Sequence, residues 1–360
     1  MLVAWLVLCG LFGSLHTAAS HLIGGYITCT CLGADGGFRD YRVTLVLLRD
    51  CAGVGAPFDN PVQIGIYNRF NDAYHFARLA TATHGVVEEI EPAQTCGEVP
   101  PSVCIETTSY EFIIEDLPVI TDEWLISWQR CCRPGDLANM TDPASTGSAV
   151  FTTISPQAQS VCNSSPSLHL DQLPYILCTD QSLQFPLGAT DPDGDRLEFR
   201  FASAYVAGGV IGSPDVPGDP SSCDGLAPDP TDCLPPFDAA GYTGPFSPEF
   251  PLAGDPAVSI DSVQNTIVGV ATLPGRYVVG LEIREFRNDT LLGILRAELT
   301  TLVTVCQEAT FDVIDEIVAP SGPGQEDGAI MLMVAGGSPP YTYQWLPALS
   351  DSANLTGIGE

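Results

Sequence analysis

The stretch RDYRVTLVLLRDC, residues 39–51, opens with a regular alternation of apolar and polar side chains. In an extended chain, successive side chains point to opposite faces, so that Tyr41, Val43, Leu45 and Leu47 share one face. Such an alternation over four to eight residues is typical of a β-strand with one buried face. The stretch therefore predicts a strand whose four apolar side chains enter a hydrophobic core.

Similar short apolar runs recur along the chain, separated by turn-forming residues. No apolar stripe with a 3.6-residue period reaches helical length, and 35 Gly and 30 Pro are dispersed rather than periodic. This pattern predicts an all-β chain built of tandem β-sandwich domains of the Ig-like or cadherin-like kind. The clearest runs are PVQIGIYN (61–68), VCIETTSYEFIIEDLP (103–118), EWLISWQRCC (123–132), RLEFRFASAY (196–205), GRYVVGLEIREFR (275–287) and LLGILRAELTTLVTVC (291–306).

Composition divides the chain into segments. The polar, proline-bounded stretch NSSPSLHLDQLP, residues 163–174, predicts a linker, and residues 207–250 predict a long loop rich in Gly, Pro, Ser and Asp. The last unit has three plausible strands and stops at an unfinished turn, so we expect it to be cut short. The predicted segments are a signal peptide (1–20), a Cys-rich β-sandwich (21–165), a second β-sandwich (171–306) and a partial β repeat (307–360).

The first twenty residues have the features of a secretory signal. The apolar run LVAWLVLCGLFGSL, residues 2–15, is shorter than a typical membrane span, and the small residues TAAS (17–20) predict cleavage after Ser20. No later apolar run reaches about 18 residues. We therefore expect a secreted or outer-surface protein with no membrane insertion once the signal is removed.

The charge of the chain is strongly one-sided. It has 44 acidic and 13 basic residues, a net charge of −31, and every basic residue is Arg. Such a charge repels nucleic acid and anionic membranes, which excludes both as partners. Two explanations stay open: an extracellular surface that collects cations, or adaptation to a saline habitat, where salt screens self-repulsion. The absence of Lys favours the second.

Twelve of the 13 cysteines follow the signal, and this even number predicts disulfides in an oxidising compartment. Cys178 and Cys306 flank the second domain and could close it end to end. Cys223 and Cys233 could staple the long loop.

The adjacent cysteines Cys131 and Cys132 are expected to bond to two different partners rather than to each other. Neighbours on a strand face opposite sides, and a ring closed by adjacent cysteines is strained. Their candidate partners are Cys29, Cys31, Cys51, Cys96 and Cys104.

Several of these stretches together resemble a known family. The chain is similar to secreted, multidomain surface proteins of Bacteroidota that are described as gliding-motility-associated or as carrying Ig-like or PKD-type repeats. The resemblance implies extracellular β-sandwich modules strung in series, and DGAIMLMVAGGSPPYTYQW resembles the start of a gliding-adhesin repeat. The matching stretches include HLIGGYITCTCLG (21–33), WLISWQRCCRPG (124–135), ATDPDGDRLEF (189–199), GRYVVGLEIREFRN (275–288) and GGSPPYTYQW (336–345).

The stretch ATDPDGDRLEFRF, residues 189–201, places Asp191, Asp193 and Asp195 around a turn. It is not an EF-hand, because the twelfth position is Ala202 instead of Glu. In cadherin-like domains a similar turn before a strand holds Ca²⁺, and further ligands would then come from Glu282, Glu285 and Asp171. The alternative is an acidic turn whose carboxylates bond nearby backbone amides. Both alternatives stay open.

Nothing in the sequence predicts catalysis. The His residues are scattered, and no G-x-S-x-G motif or phosphate-binding Gly loop is present. We therefore expect a structural or adhesion protein that binds an extracellular polysaccharide or protein. The alternative is a non-catalytic accessory region of a secreted hydrolase whose catalytic domain would lie beyond residue 360.

Overall fold

A computed structural model describes residues 22–52, 56–90, 103–209, 223, 225–306, 312–335, 341–345 and 352–358. The predicted signal peptide, Cys96 and all of residues 210–222 lie outside these residues. The chain is nearly all β, with 57% of residues in strands, which confirms the predicted class. In the part of the chain that is described, no helix is long and apolar enough to cross a membrane.

The described residues of the first half of the chain form nine strands and one short α-helix. The strands are β1 (Leu22–Asp35), β2 (Phe38–Asp50), β3 (Val62–Phe70), β4 (Ala73–Ala82), β5 (Glu88–Ile90), β6 (Ile105–Pro118), β7 (Trp124–Arg130), β8 (Ser148–Ile154) and β9 (Ser167–Leu168). Helix α1 (Pro156–Val161) follows β8, and its first turn is capped by the Ser155 side chain, which accepts a hydrogen bond from the Ala158 amide.

Thirteen more strands lie within the described part of the second half. They are β10 (Ile176–Cys178), β11 (Ser182–Pro186), β12 (Ala189–Thr190), β13 (Arg196–Ala202), β14 (Tyr205–Val206), β15 (Asp238–Ala239), β16 (Ser259–Asp261), β17 (Thr266–Val270), β18 (Gly275–Arg287), β19 (Thr290–Thr304), β20 (Asp312–Val318), β21 (Gly328–Ala335) and β22 (Asn354–Ile358). Single-turn 3₁₀ helices lie at Pro143–Ser145 and Leu170–Gln172.

Most strands belong to one 14-stranded sheet. Its main path runs β4-β3-β7-β8-β19-β1-β2-β6-β5. Strand β18 pairs with the other edge of β19 and carries β13 on its far side, while β10 runs parallel to the end of β19. Smaller sheets combine β11, β17 and β16, and β12 with β9.

Strand β19 joins the two ranges that the sequence predicted as separate domains. One of its edges pairs with β18 throughout, and its other edge meets first β8, at Leu295–Thr152, and then β1, at Leu299–Gly24. Gly24 allows this close approach, since a Cβ there would lie 2.1 Å from the Glu298 carbonyl oxygen. The ranges 21–165 and 171–306 therefore share one sheet, and the linker predicted at 163–174 does not separate two sheets.

Two hydrophobic cores lie on the two faces of β2. Tyr41, Val43, Leu45 and Leu47 are all buried in the first core, as the alternation predicts, together with the β7 residues Trp124 and Trp128. The even-numbered Val46 and Leu48 enter the second core, which β13, β18 and β19 also line. Because both of its faces are covered, β2 becomes a continuous apolar run where the alternation breaks down.

Five disulfides link the described cysteines. Cys178 at the end of β10 is bonded to Cys306 just after β19, and Cys223 is bonded to Cys233 within the long loop. Cys29 is buried in the first core as a free thiol. The remaining pairs are Cys31–Cys162, Cys51–Cys104 and Cys131–Cys132.

The adjacent cysteines Cys131 and Cys132 are bonded to each other, so the prediction of two different partners is wrong. That prediction placed both cysteines on a strand with opposed side chains. Strand β7 instead ends at Arg130, and the peptide bond between the two cysteines is cis, which brings their Cα atoms to 3.0 Å. The candidate partners Cys31, Cys51 and Cys104 are bonded elsewhere.

The C-terminal unit forms a sheet of its own in the order β20-β21-β22. Tyr341, Tyr343 and Trp345 are half-buried and alternate with exposed residues, so these three side chains share one face. The Trp345 indole Nε1 donates a hydrogen bond to the Ser352 carbonyl oxygen at 2.8 Å, which ties this segment to the start of β22.

Candidate functional site

The acidic turn between β12 and β13 brings the three predicted aspartates together. Oxygen atoms of Asp191, Asp193 and Asp195 lie within 4.8 Å of one another. Asp191 Oδ1 accepts hydrogen bonds from the backbone amides of Asp193 (3.0 Å) and Asp195 (2.9 Å). Gly194 has φ +79°, a backbone conformation that glycine adopts without strain. These contacts are those of an Asx turn that leads into a strand.

The positive charge beside this turn comes from Arg287, near the end of β18. Its Nε and Nη2 atoms donate to the two carboxylate oxygens of Asp195 at 2.7 and 2.6 Å, a bidentate pair. Nη2 also donates to Asn163 Oδ1 at 2.8 Å. The hydrogen bonds from Arg287 hold the pKa of Asp195 below its usual range.

Glu285 lies beneath the turn, on the face of β18 that looks toward the second core. It is 1% exposed and accepts a hydrogen bond from Asn163. Burial raises the pKa of Glu285 to about 9; the bond from Asn163 opposes this rise and the negative charge of Asp191 adds to it. Two carboxyl groups with pKa values moved in opposite directions resemble a general acid and base. A side chain this deeply covered has no access to a substrate, so we assign the pair no catalytic role.

The same residues provide a test of the predicted Ca²⁺ site. Calcium takes six to eight oxygen ligands. Here both oxygens of Asp195 are bound to Arg287, Asp193 Oδ2 accepts from the Ser164 amide at 2.7 Å, and Asp191 Oδ2 is left without a hydrogen-bond partner. The Arg287 guanidinium already places a positive charge beside these carboxylates, as a bound cation would. These contacts do not fit the predicted ligand set and favour the turn; calcium binding stays a prediction that calorimetric titration tests.

Glu282 does not join this cluster, which corrects its prediction as a fifth ligand. Glu282 and Glu285 are three residues apart on β18, and residues separated by an odd number on a strand point to opposite faces. The fully buried Glu282 carboxylate forms ion pairs on its own face with Arg200, Arg284 and Arg296. We call these three residues around Glu282 the arginine cluster. No pattern within the sequence predicts that these arginines converge.

The predicted loop of residues 207–250 lies partly against the main sheet. Its described portion pairs β15 with β14, and the Tyr67 hydroxyl of β3 donates to the Pro230 carbonyl oxygen at 3.0 Å. The Gln129 side chain of β7 donates to the Cys233 carbonyl oxygen at 3.0 Å. The disulfide-bonded end of the loop is therefore held against β3 and β7 of the main sheet.

Replacing Glu285 with Gln is expected to remove a pH-dependent loss of stability. Below its unfolded pKa of 4.5, Glu285 is protonated in both states. As pH rises from 4.5 toward 9, only the unfolded chain ionises, which favours unfolding by up to about 1.4 kcal/mol per pH unit. In chemical denaturation, Glu285→Gln should lie within about 1 kcal/mol of the parent chain at pH 5 and exceed it by about 2–4 kcal/mol at pH 8.

The control for this substitution is Glu111→Gln on β6, where the side chain is exposed. It should leave the difference in unfolding free energy between pH 5 and pH 8 unchanged. If the unfolding free energy of the Glu285→Gln variant equals that of the parent at both pH values, then the Glu285 carboxyl group ionises in the folded chain.

A family model matches a short C-terminal stretch of the chain. The SprB repeat matches residues 324–349, which include all of β21 and the aromatic segment around Tyr343. The SprB repeat is associated with gliding-motility surface adhesins of Bacteroidota, in agreement with the resemblance found in the sequence. No curated protein and no solved structure matches the chain.

Proposed function

We propose that the protein is a secreted or cell-surface adhesion protein, linked to gliding motility, that acts by binding and spacing and not by catalysis. The observation that carries the proposal is the SprB repeat at residues 324–349, which follows a disulfide-bonded β body. A repeat of this kind is associated with surface adhesins, and its position next to the body suggests that the body is displayed with it.

The body has properties suited to the outside of a cell. Five disulfides are stable in an oxidising compartment and are rarely kept in the cytosol. Sheets whose cores are closed and stapled hold a fixed shape, which is what a spacer between a cell and its surroundings requires. The net charge of −31 keeps copies of the chain apart in solution. The partner would be an extracellular polysaccharide or protein.

A deletion strain tests the proposal in the bacterium that encodes the chain. Antibodies raised against the purified chain should label intact cells, and external protease should remove the label. The deletion strain should attach to or spread on surfaces less than the parent, and expression of the intact gene should restore the behaviour. Its growth on soluble nutrients serves as the control and should not change.

Two results would contradict the proposal. Labelling only after cell lysis would place the protein inside the cell. Normal attachment and spreading combined with loss of polysaccharide degradation would instead support the accessory region of a secreted hydrolase.

A further inference from the structure

The arginine cluster is a row of side chains that crosses three neighbouring strands. Arg200 on β13 is paired in register with Glu282 on β18, and Glu282 with Arg296 on β19. Arg284 lies two residues after Glu282 on the same face, and its Nε donates to Glu282 Oε1 at 2.8 Å. The three guanidinium groups therefore converge on a single carboxylate.

This convergence differs from the other ion pairs of the described residues. Elsewhere each acidic side chain meets one arginine, as Glu298 meets Arg133 and Asp50 meets Arg276. Here three of the 13 arginines of a chain with net charge −31 surround one glutamate, which leaves two positive charges uncompensated within the cluster. Burial and the neighbouring Arg284 lower the pKa of Arg200, as expected for cations held close together.

The cluster opens into a pocket of about 490 Å³, a size usual for small-molecule sites. Arg200 and Arg296 line it, together with the aromatic rings of Tyr205 and Phe250. The Arg296 guanidinium lies over the Tyr205 ring, 5.3 Å from its centroid, and its Nε is buried without a hydrogen-bond partner. The pocket thus presents the half-exposed Arg200 guanidinium and the exposed Phe250 side chain together.

The rim of the pocket carries one opposing charge. Glu249 lines the rim and accepts a hydrogen bond from the Ser247 hydroxyl at 3.1 Å. Counting Glu249 with Glu282 against the three arginines leaves one positive charge. Glu198, which is in register with Arg284 and shared with Arg196, partly offsets this charge. Ser203 and Ser259 supply neutral polar groups at the same rim.

We propose that this pocket binds the carboxylate or sulfate group of an acidic sugar residue. Guanidinium groups bind carboxylate and sulfate oxygens with paired, charge-assisted hydrogen bonds, and the Arg200 guanidinium in the pocket lining is 52% exposed. The exposed Phe250 ring offers a flat apolar surface against which a sugar ring packs. The inference rests on the proposed function, for which it names a ligand class: an acidic extracellular polysaccharide.

A sugar fits the pocket better than an acidic peptide does. The net charge of −31 repels a segment that carries many adjacent negative charges. A polysaccharide with widely spaced acidic residues places one charge in the pocket and leaves neutral hydroxyls for the polar rim. Binding therefore depends on direct contact in the pocket and not on long-range attraction.

Calorimetric titration of the whole purified chain tests the proposal, with glucuronate and galactose 6-sulfate as probes and glucose as the neutral comparison. Both acidic sugars should bind and glucose should not. Arg200→Gln should weaken binding at least about tenfold, because it removes a charged donor. Glu282→Gln should strengthen binding, since it removes the carboxylate that competes for the guanidinium groups, and a purely structural role would not produce this gain.

The matched control is Arg196→Gln. Arg196 lies on the same strand and face as Arg200 and is equally exposed, at 51% against 52%, but it pairs with Glu198 and Asp289 outside the pocket. Binding by this variant should equal that of the parent chain. Melting temperatures measured on all three variants establish that each is folded.

Three outcomes would overturn the proposal: no binding of either acidic sugar, equal binding by Arg200→Gln and the parent, or tighter binding of an oligo-aspartate peptide than of the sugars. These results are independent of the cellular test. A chain that binds no acidic sugar but is displayed and needed for attachment leaves the proposed function in place. A chain that binds the sugars but labels only in lysed cells supports the pocket and contradicts surface adhesion.

Discussion

Replacing Arg133 with methionine is expected to lower the free energy of unfolding by about 3–5 kcal/mol. Arg133 follows the Cys131–Cys132 pair, and its Nε and Nη2 atoms donate to the two oxygens of Glu298 on β19, both at 2.6 Å. The two side chains are only 3% and 8% exposed. Without the guanidinium, Glu298 would remain as a buried and unpaired carboxylate, which is the costly outcome.

The loss extends beyond the ion pair, because Arg133 also donates to the carbonyl oxygens of Gly147 and Tyr205. Urea denaturation of the variant at neutral pH measures the effect. Arg42→Met, at an exposed position of β2, is the control and should change stability by less than about 0.5 kcal/mol.

A double variant separates the charge effect from general damage. Arg133→Met combined with Glu298→Met removes both charges and should recover a substantial part of the lost stability. A double variant that is as unstable as the sum of its single variants would show that the two side chains do not depend on each other.

Removing the Cys178–Cys306 disulfide is expected to have an effect of similar size. The bond closes 128 residues, and the chain-entropy model assigns a loop of that length about 5 kcal/mol. Serine at both positions avoids new free thiols and keeps the side chains small. Calorimetric melting and urea denaturation of the double variant should both show the loss.

The short disulfide Cys223–Cys233 provides the comparison. It spans only 10 residues, for which the same model gives about 3 kcal/mol. The Cys178→Ser, Cys306→Ser variant should therefore be less stable than the Cys223→Ser, Cys233→Ser variant. The opposite order would mean that contacts around the short bond, and not loop closure, determine the two effects.

The alternation in RDYRVTLVLLRDC identified β2 and its buried face because a two-residue period is a local property of the chain. The alternation could not predict which distant strands pair with one another or pack against that face. The pairing of β1 with β19 joins residues from opposite ends of the body, and no local pattern records which distant edge a strand will meet. For this reason the sequence predicted strands well but divided one sheet into two domains.

The site was predicted unevenly for a similar reason. The turn at Asp191 could be predicted from the turn-forming residues around it. The position of Glu285 near this turn could be predicted from its place near the end of a strand of the same predicted domain. Because Glu282 and Glu285 are an odd number of residues apart on one strand, they face opposite sides, and this separation could have been predicted from the sequence. The arginine cluster could not be predicted from local patterns, because only the register of β13, β18 and β19 brings Arg200, Glu282 and Arg296 together.

The antiparallel contact between β1 and β19 also determines where the chain enters and leaves the body. Gly24 near the start of β1 lies beside Leu299, five residues before the end of β19. At about 3.4 Å per residue, the entry and exit points are neighbours at one end of the sheet. Tension applied to the two ends would then open these strands one hydrogen bond after another, so that the Cys178–Cys306 bond becomes the point at which unravelling from the C-terminal side stops.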